Sequence, residues 1–275
     1  MQVAELHHQE EPAQRPGSPG VEEVLPALPH AHATSRDPLT KLSDLGPPLI
    51  GLAHGSRHPE GSLGIQRLLA AVSQQAKITA IPAYLDLAEP DLEAAAGQLA
   101  KAGHTNAVVV PLLFTEAFHA TVDVPETVGN VTESLPIRLI VADILGTGDD
   151  VADLLRKSLV EAGIDDHSSV LLFAVGSSRL AANEAVADLA ARLATGRRGA
   201  VRACFGTCFP GVADVVDELA EPIAVLPLFL AEGLLLAPVR ALAAQRGWRI
   251  MEPLGERAAG LVRRRYGSAL GTQVS

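Results

Sequence analysis

The chain has 275 residues, of which 48% are hydrophobic, so it can bury the core of one large or two ordinary domains, and a disordered or fibrous protein is excluded. A formal net charge of −10 and an aromatic content of 3% argue against a nucleic-acid-binding surface, which needs clustered Lys and Arg and aromatic rings for base stacking. No apolar run is long enough for a membrane-spanning helix and the N-terminus lacks the pattern of a secretory signal, so a cytoplasmic protein is expected.

Residues 1–46 differ in composition from the rest of the chain. They are rich in Pro, Glu, His and Ala and have no apolar periodicity, which predicts a disordered leader. Four of the nine histidines lie in this segment. Because a flexible segment cannot fix a coordination geometry, we expect these four histidines to be non-catalytic.

From Pro48 onward, short β-branched or apolar runs alternate with Ala- and Leu-rich amphipathic stretches. This alternation is typical of βα units around a mainly parallel sheet. The second helix of this half is predicted to carry Pro90 in its first turn and to end at Gly103. The predicted strands are 49–53, 78–85, 107–114 and 137–142, and the predicted helices are 61–75, 90–102 and 148–162.

The same order of elements returns in the second half of the chain. The sequence therefore predicts an α/β protein with two similar βα lobes on mainly parallel sheets, duplicated within one chain. The N-terminal lobe is placed at 47–165 and the C-terminal lobe at 166–275, with a linker near 163–168. The predicted strands of the second lobe are 170–175, 201–205 and 223–230, and its predicted helices are 180–195, 210–219 and 234–246.

Local sequence matches support a duplication rather than a coincidence of fold class. A polar residue present in only one copy is then a candidate for chemistry, whereas a residue retained in both copies tends to serve the fold. Three pairs of segments correspond: LAHGSR from Leu52 with FAVGSSR from Phe173, AYLDLAEPDL from Ala83 with ACFGTCFPGV from Ala203, and VVVPLLFTEAF from Val108 with AVLPLFLAEGL from Ala224.

Five polar residues occur only in the first copy. Glu116 differs from them because Glu232 matches it in the second copy, so a structural role competes with a functional one at that position. The first lobe is therefore predicted to be active and the second to be a degenerate copy. In an ungapped comparison the five pairs are His54 with Val175, Asp86 with Gly206, Glu89 with Phe209, His119 with Leu235, and Asp123 with Val239.

The predicted fold brings these polar residues to one edge of a sheet. His54 ends the first strand, Asp86 and Glu89 follow the second, and His119 follows the third, and ligands of open parallel sheets bind beyond these carboxyl ends. Two imidazoles with nearby carboxylates would bind a divalent ion such as Fe²⁺, Co²⁺ or Ni²⁺ and could accept protons near neutral pH. Each histidine could instead only hydrogen-bond loop backbone, but two at strand ends, both absent from the second copy, favour the functional interpretation.

Three motifs in a fixed order are similar to those of the sirohydrochlorin chelatase family, and the resemblance covers residues 48–253. The motifs are LAHGSR from Leu52, YLDLAEP from Tyr84, and VPLLF from Val110 leading to His119-x-x-x-Asp123-x-Pro125. The resemblance implies a class II metal chelatase that inserts Co²⁺ or Fe²⁺ into sirohydrochlorin for cobalamin or sirohaem synthesis. It implies the divalent metal as a substrate, with no permanently bound cofactor.

The resemblance also implies roles for individual residues. His54 and His119 match the metal-handling and proton-accepting pair of the family. Since one chain contains both copies, we expect a monomer whose partners are sirohydrochlorin and a divalent metal, with no nucleic acid and no membrane. The residues expected to contact the substrate or to support the two histidines are Ser56, Arg57, Asp86, Glu89, Glu116 and Asp123.

Two other functions remain open from the sequence. The same cleft could carry a tetrapyrrole or a metal ion without accelerating insertion. A phosphate-binding turn at AHGSR is weaker, because the chain has no G-x-G-x-x-G motif and no P-loop lysine pattern. Ser56 and Ser177 are expected to cap helices or to hold strand-to-helix turns, and Cys204 and Cys208 are expected to be small buried thiols.

Overall fold

The first lobe is built on a four-stranded parallel sheet. The computed structural model describes residues 46–116 and 124–271, so the predicted leader lies outside the described residues except for Gly46. The strands pair in the order β2-β1-β3-β4, and all four predicted strands are confirmed with small changes at their ends. The elements of this lobe are β1 (Leu49–Ala53), α1 (Pro59–Ala76), β2 (Ala80–Tyr84), α2 (Leu92–Lys101), β3 (Asn106–Pro111), α3 (Val124–Ser134), β4 (Arg138–Val141) and α4 (Asp149–Glu161).

The second lobe repeats this arrangement. Its strands are also parallel and have the equivalent order β6-β5-β7-β8, which confirms the duplicated α/β fold. Short 3-10 turns at Val216–Glu218 and Gly255–Ala258 precede β7 and α8, respectively. The elements are β5 (Ser169–Ala174), α5 (Leu180–Ala194), β6 (Val201–Phe205), α6 (Val212–Val215), β7 (Ile223–Pro227), α7 (Leu236–Arg246), β8 (Arg249–Ile250) and α8 (Ala259–Gly271).

The composition of the strands explains their positions in the sheets. Every residue of β1 and of β5 is buried, and both strands are apolar runs apart from Gly51 and Ser169. Such runs suit a central parallel strand, which is covered by helices on both faces. By contrast, β4 and β8 have exposed or half-buried residues and lie at sheet edges.

The two lobes share one continuous hydrophobic core. Residues of α1, α4, α5 and α8 join strand residues of both sheets in this core, whereas α2 and α3 pack on the first sheet and α6 and α7 on the second in separate clusters. The last helix of each lobe packs against the other lobe: α8 contacts α1 and β3, and α4 contacts α5. Each lobe therefore depends on the other to complete its packing.

Two predicted helices need correction. The helix predicted at 90–102 begins only at Leu92, because the Asp91 carboxylate accepts a hydrogen bond from the amide of Ala94 at 2.7 Å and caps it. Pro90 precedes the helix, and its carbonyl accepts a hydrogen bond from the amide of Tyr84 at 2.9 Å. The helix predicted at 210–219 is only the short α6 and a 3-10 turn, after which the chain extends toward Pro222.

Three elements were not predicted from the sequence. The α3 segment has two buried residues and contains Gly and β-branched residues, so its apolar periodicity is weak. The β8 strand has two residues, and α8 contains a run of three arginines at 263–265 that interrupts its apolar pattern. In the part of the chain that the structure describes, no helix is both long and apolar enough to cross a membrane.

Candidate active site

The carboxyl ends of both sheets open onto one cleft of about 750 Å³. This is the edge at which open parallel sheets bind ligands, and the volume lies in the roughly 300–1,000 Å³ range of small-molecule sites. Three of the predicted site residues line it, namely His54, Ser56 and Arg57. The second lobe supplies the facing wall with the loops that follow β5 and β7.

His54 is fixed at the end of β1 by a close contact between two loops. Its carbonyl accepts a hydrogen bond from the amide of Asp86 at 2.9 Å, its side chain is half-buried, and its Nδ1 atom is buried. The next residue, Gly55, has φ +100°, and a Cβ there would lie 1.7 Å from the carbonyl oxygen of Asp86. Only glycine allows this close approach between the two loops.

The turn from β1 into α1 is held by its own side chains. The amide of His58 donates to Ser56 Oγ at 3.0 Å, and the amide of Glu60 donates to Nδ1 of His58 at 3.2 Å. Ser56 therefore holds the strand-to-helix turn, which was one of its two predicted roles. The other predicted role, the N-cap of α1, belongs to His58. Arg57 lies between them with its side chain exposed to the cleft.

Asp86 and Glu89 lie in the loop after β2 and are exposed. Asp86 Oδ1 accepts a hydrogen bond from the amide of Leu87 at 2.7 Å, and Glu89 Oε2 accepts one from the amide of Asp91 at 3.3 Å. Neither carboxylate belongs to the lining of the cleft. Their hydrogen bonds shape the loop that contacts His54, and direct contact with a substrate stays a prediction.

The remaining predicted site residues follow β3. His119 and Asp123 lie outside the described residues. Glu116 is exposed and does not line the cleft. Its counterpart Glu232 lines the cleft and forms an ion pair with Arg240.

Strand register corrects one pairing between the two copies. Tyr84 and Phe205 occupy the same position, because each pairs with the last residue of the central strand of its sheet. The counterpart of Asp86 is therefore Thr207, and the pairing with Gly206 from the ungapped comparison is wrong. The cause is a loop after β6 that is one residue shorter than the loop after β2.

Hydrogen bonds show the same correspondence. The amide of Asp86 donates to the carbonyl of His54 at 2.9 Å, and the amide of Thr207 donates to the carbonyl of Val175 at 3.0 Å. Thr207 Oγ1 also donates to that carbonyl at 2.8 Å. Val175 is therefore the equivalent of His54 on the facing wall, and it lines the same cleft with 45% of its surface exposed.

Sequence reasoning missed the apolar wall of the second lobe. The loop after β7 contributes two groups of large apolar side chains to the cleft, one on each side of residues 231–233, and Leu234 is 62% exposed. A signal was present, because the apolar run LPLFL extends past the end of β7 at Pro227. The large apolar residues of this wall are Leu228, Phe229, Leu230, Leu234 and Leu235.

Tyr84 is a second residue that sequence reasoning missed. It lines the cleft, and its hydroxyl donates to the carbonyl of Ser62 at 3.4 Å. Burial raises the pKa of the phenol above its usual value of about 10, so Tyr84 is neutral at physiological pH. The ungapped comparison concealed that the second copy has Phe205 at this position.

Within residues 46–116 and 124–271, no group of three His, Cys, Asp or Glu side chains is arranged to hold a metal ion. Among the described residues that line the cleft, His54 and Glu232 have side chains that could bind a metal ion. Glu232 already forms an ion pair with Arg240. A site with His54 at its centre therefore needs a further ligand from another source, such as the predicted His119 or a substrate.

A duplicated α/β fold with parallel sheets and a shared cleft at the strand ends defines the class of this protein. The chain belongs to the CbiX family, whose model matches residues 48–162 and 169–273. Both copies are therefore recognised as repeats of the same unit.

Two proteins of similar sequence are named as chelatases, and a solved structure has a similar fold. A sirohydrochlorin ferrochelatase from Priestia megaterium is 28% identical over 216 residues, covering 74% of this chain and 80% of that protein. A sirohydrochlorin cobaltochelatase from Sulfolobus acidocaldarius is 28% identical over 79 residues, covering 29% of this chain and 63% of that protein. The structure of SirB from Bacillus subtilis with Fe³⁺ has a TM-score of 0.69 and 22% identity, and the match covers 81% of this chain and 94% of that one.

Proposed function

We propose that this protein is a sirohydrochlorin chelatase, which inserts Fe²⁺ or Co²⁺ into sirohydrochlorin. The observation that carries the proposal is the asymmetry of the cleft: His54 lines one wall, and the equivalent residue on the facing wall is Val175. A metal ligand on one wall and an apolar surface on the other suit a flat macrocycle that receives a metal ion from one side. Membership of the CbiX family and the names of the relatives support the same reaction.

The reaction requires a metal ligand and a proton acceptor. As the divalent ion enters, four ring nitrogens bind it and two N–H protons leave, so the net products are the metallated macrocycle and two protons. A neutral imidazole can bind a borderline divalent ion and can accept a proton near neutral pH. We assign these roles to His54 and to His119, which follows β3 in the sequence.

The carboxylates of the substrate need a cationic partner. Arg57 supplies the cationic side chain among the described residues that line the cleft, and it is exposed there. A guanidinium binds a carboxylate through two parallel hydrogen bonds. We therefore propose that Arg57 binds a peripheral carboxylate of sirohydrochlorin and that Ser56 keeps the Arg57 turn in place.

The proposed working form is a cytoplasmic monomer without a permanently bound cofactor. Both walls of the cleft come from one chain, and the lobes share a core, so a second copy is not needed to complete the site. Cys204 and Cys208 are free thiols, which suits a reducing compartment. Sedimentation equilibrium would test the monomer, and a sedimenting dimer would contradict it.

The test is anaerobic insertion of Fe²⁺ and of Co²⁺ into sirohydrochlorin, followed by absorbance. We compare the intact protein with His54→Ala, His119→Ala and the matched control Val175→Ala, which truncates the equivalent position on the facing wall. Loss of a positioned base or ligand lowers a rate by about 10²- to 10⁴-fold, so His54→Ala should be nearly inactive. Val175→Ala removes neither a base nor a metal ligand, so it should retain most of the activity at saturating sirohydrochlorin.

Each outcome has a defined meaning. Insertion by the intact protein no faster than in buffer would refute the proposal, and tight sirohydrochlorin binding with an unchanged rate would indicate a carrier. Equal activity of His54→Ala and the intact protein would remove His54 from the mechanism. The ratio of the Fe²⁺ and Co²⁺ rates indicates the preferred metal.

A further inference from the structure

Leu87 combines three unusual features in the loop after β2. It is a non-glycine residue in the left-handed region with φ +61°, it is 38% exposed, and it lines the cleft. In the described residues, Lys77 is the other non-glycine residue with positive φ. Lys77 ends α1, and its amide donates to the carbonyl of Ser73 at 2.9 Å, so helix termination explains its conformation. Leu87 ends no helix.

The second lobe makes the equivalent turn without a left-handed residue. In both lobes the last strand residue donates its amide to the carbonyl of a proline beyond the turn, Tyr84 to Pro90 and Phe205 to Pro210, each at 2.9 Å. The five residues 85–89 separate the first pair, and the four residues 206–209 separate the second. Residues 206–209 all have negative φ. The shorter turn of the second lobe thus closes the same hydrogen bond without a residue in the left-handed region, and the conformation of Leu87 belongs to the first lobe alone.

Asp86 links the amide of Leu87 to the backbone of His54. The Asp86 carboxylate accepts the amide of Leu87 at 2.7 Å, and the Asp86 amide donates to the carbonyl of His54 at 2.9 Å. Two hydrogen bonds in series thus fix Leu87 relative to His54. This arrangement gives a reason for the carboxylate of Asp86 in the first copy that does not involve a metal ion. Residues held in sparsely populated conformations are concentrated at functional sites.

We propose that Leu87 is a substrate-contacting residue that packs on the flat apolar surface of the macrocycle and sets the position of its ring nitrogens relative to His54. This inference rests on the proposed function. A leucine side chain cannot bind a metal ion or a carboxylate, but it gains from covering an apolar surface. Val175 and Leu234 are exposed on the facing lobe and line the same cleft, so a flat ligand between the walls would cover all three side chains.

The experiment uses variants that remove the side chain without adding backbone strain. Leu87→Gly and Leu87→Asn both suit positive φ, and Asn replaces the apolar contact with a polar group. Lys77→Gly is the matched control for the relief of strain at a left-handed residue, since Lys77 does not line the cleft. Leu63→Ala is the control for loss of an exposed apolar side chain, because Leu63 is 44% exposed and also lies outside the cleft lining.

Steady-state insertion is measured with sirohydrochlorin and the metal varied separately, together with the urea midpoint of each variant. Loss of a half-covered leucine contact predicts a KM for sirohydrochlorin that is about 5- to 20-fold higher for both Leu87 variants. We expect the KM for the metal to stay within about twofold, and the urea midpoint of Leu87→Gly to be no lower than that of the intact protein. Both controls should have the KM values of the intact protein.

A Leu87→Gly protein with an unchanged KM for sirohydrochlorin would overturn the inference while the chelatase function stands. A parallel rise in the KM for the metal would also overturn it, since that result would place Leu87 at the metal path or in the general stability of the loop. Failure of the intact protein to accelerate insertion would overturn both proposals.

Discussion

Arg265 joins the two lobes through a contact between α8 and the β4–α4 connection. Its guanidinium donates to the carbonyl oxygens of Ile144, at 2.8 Å, and Leu145, and it pairs with the Asp150 carboxylate at 2.8 Å. The Arg265 and Asp150 side chains are 18% and 26% exposed. Arg265→Ala would leave all three acceptors without this donor in a poorly hydrated place, so we expect a large loss of stability.

The expected magnitude follows from the burial of this pair. Breaking a fully buried ion pair costs roughly 3–5 kcal/mol, whereas an exposed pair contributes roughly 0–1 kcal/mol. For a mostly buried pair with two additional carbonyl acceptors, we expect a decrease in the free energy of unfolding of about 3 kcal/mol. In a protein of this size, that corresponds to a decrease in Tm of about 6–12 °C.

The assay is urea unfolding followed by far-UV circular dichroism. The matched control is Arg263→Ala on the same helix, whose side chain is exposed and hydrogen-bonds Gln75 at 3.4 Å. The free energy of unfolding of Arg263→Ala should differ from that of the intact protein by no more than about 0.5 kcal/mol. If Arg265→Ala lowers the urea midpoint no more than Arg263→Ala does, the interlobe contact does not stabilise the molecule, and the reasoning fails.

The pH dependence gives a second measurement of the same contact. Burial raises the pKa of Asp150, but the hydrogen bonds and charges of Arg265 and Arg264 outweigh burial and lower its pKa below the usual value. The Asp150 carboxylate therefore stabilises the folded protein at pH values above the unfolded-state pKa of about 3.9. This stabilisation is lost as the pH falls through the lower pKa of the folded state. The difference in the free energy of unfolding between the intact protein and Asp150→Asn should be constant near neutral pH and should shrink below about pH 4. A difference that grows on acidification would contradict this sign.

Two further predictions concern the loop at His54 and the two thiols. Gly55→Ala would push the β1–α1 loop away from Asp86, and a displacement of about 1 Å at a reacting group costs on the order of 10²-fold in rate, so anaerobic insertion should fall by about that factor. Gly103 has a similar φ of +92° but has open space around it, so Gly103→Ala is the control. We expect Gly103→Ala to insert the metal at the rate of the intact protein, and an equal loss in both variants would contradict the prediction. Burial raises the pKa of Cys204 to about 12, so a thiol reagent should modify the half-buried Cys208 in the native protein and Cys204 only after unfolding. Simultaneous modification of both in native buffer would contradict this expectation.

The sequence by itself determined the duplication and the order of the elements other than α3, β8 and α8. Buried parallel strands are nearly continuous apolar runs, so β1 and β5 could be located from composition alone. Parallel strands point their carboxyl ends to one edge, and His54 at the end of β1 was therefore placed correctly on the cleft. These features depend on local sequence and on rules that hold for all parallel sheets.

Only the tertiary structure decided which elements meet across the lobes. Periodicity shows that a helix has a buried face, but it does not identify the surface that covers it, so the packing of α8 on the first lobe and of α4 on the second was not predictable. The sequence also did not determine the role of Asp86. Its carboxylate accepts a hydrogen bond from the amide of Leu87, and its amide donates to the carbonyl of His54 in another loop, and this second contact exists only in the folded protein. The loops after β2 and β6 differ in length by one residue, so the sequence comparison paired Asp86 with Gly206 and not with Thr207. Strand register corrects this pairing, and register is a property of the folded sheet.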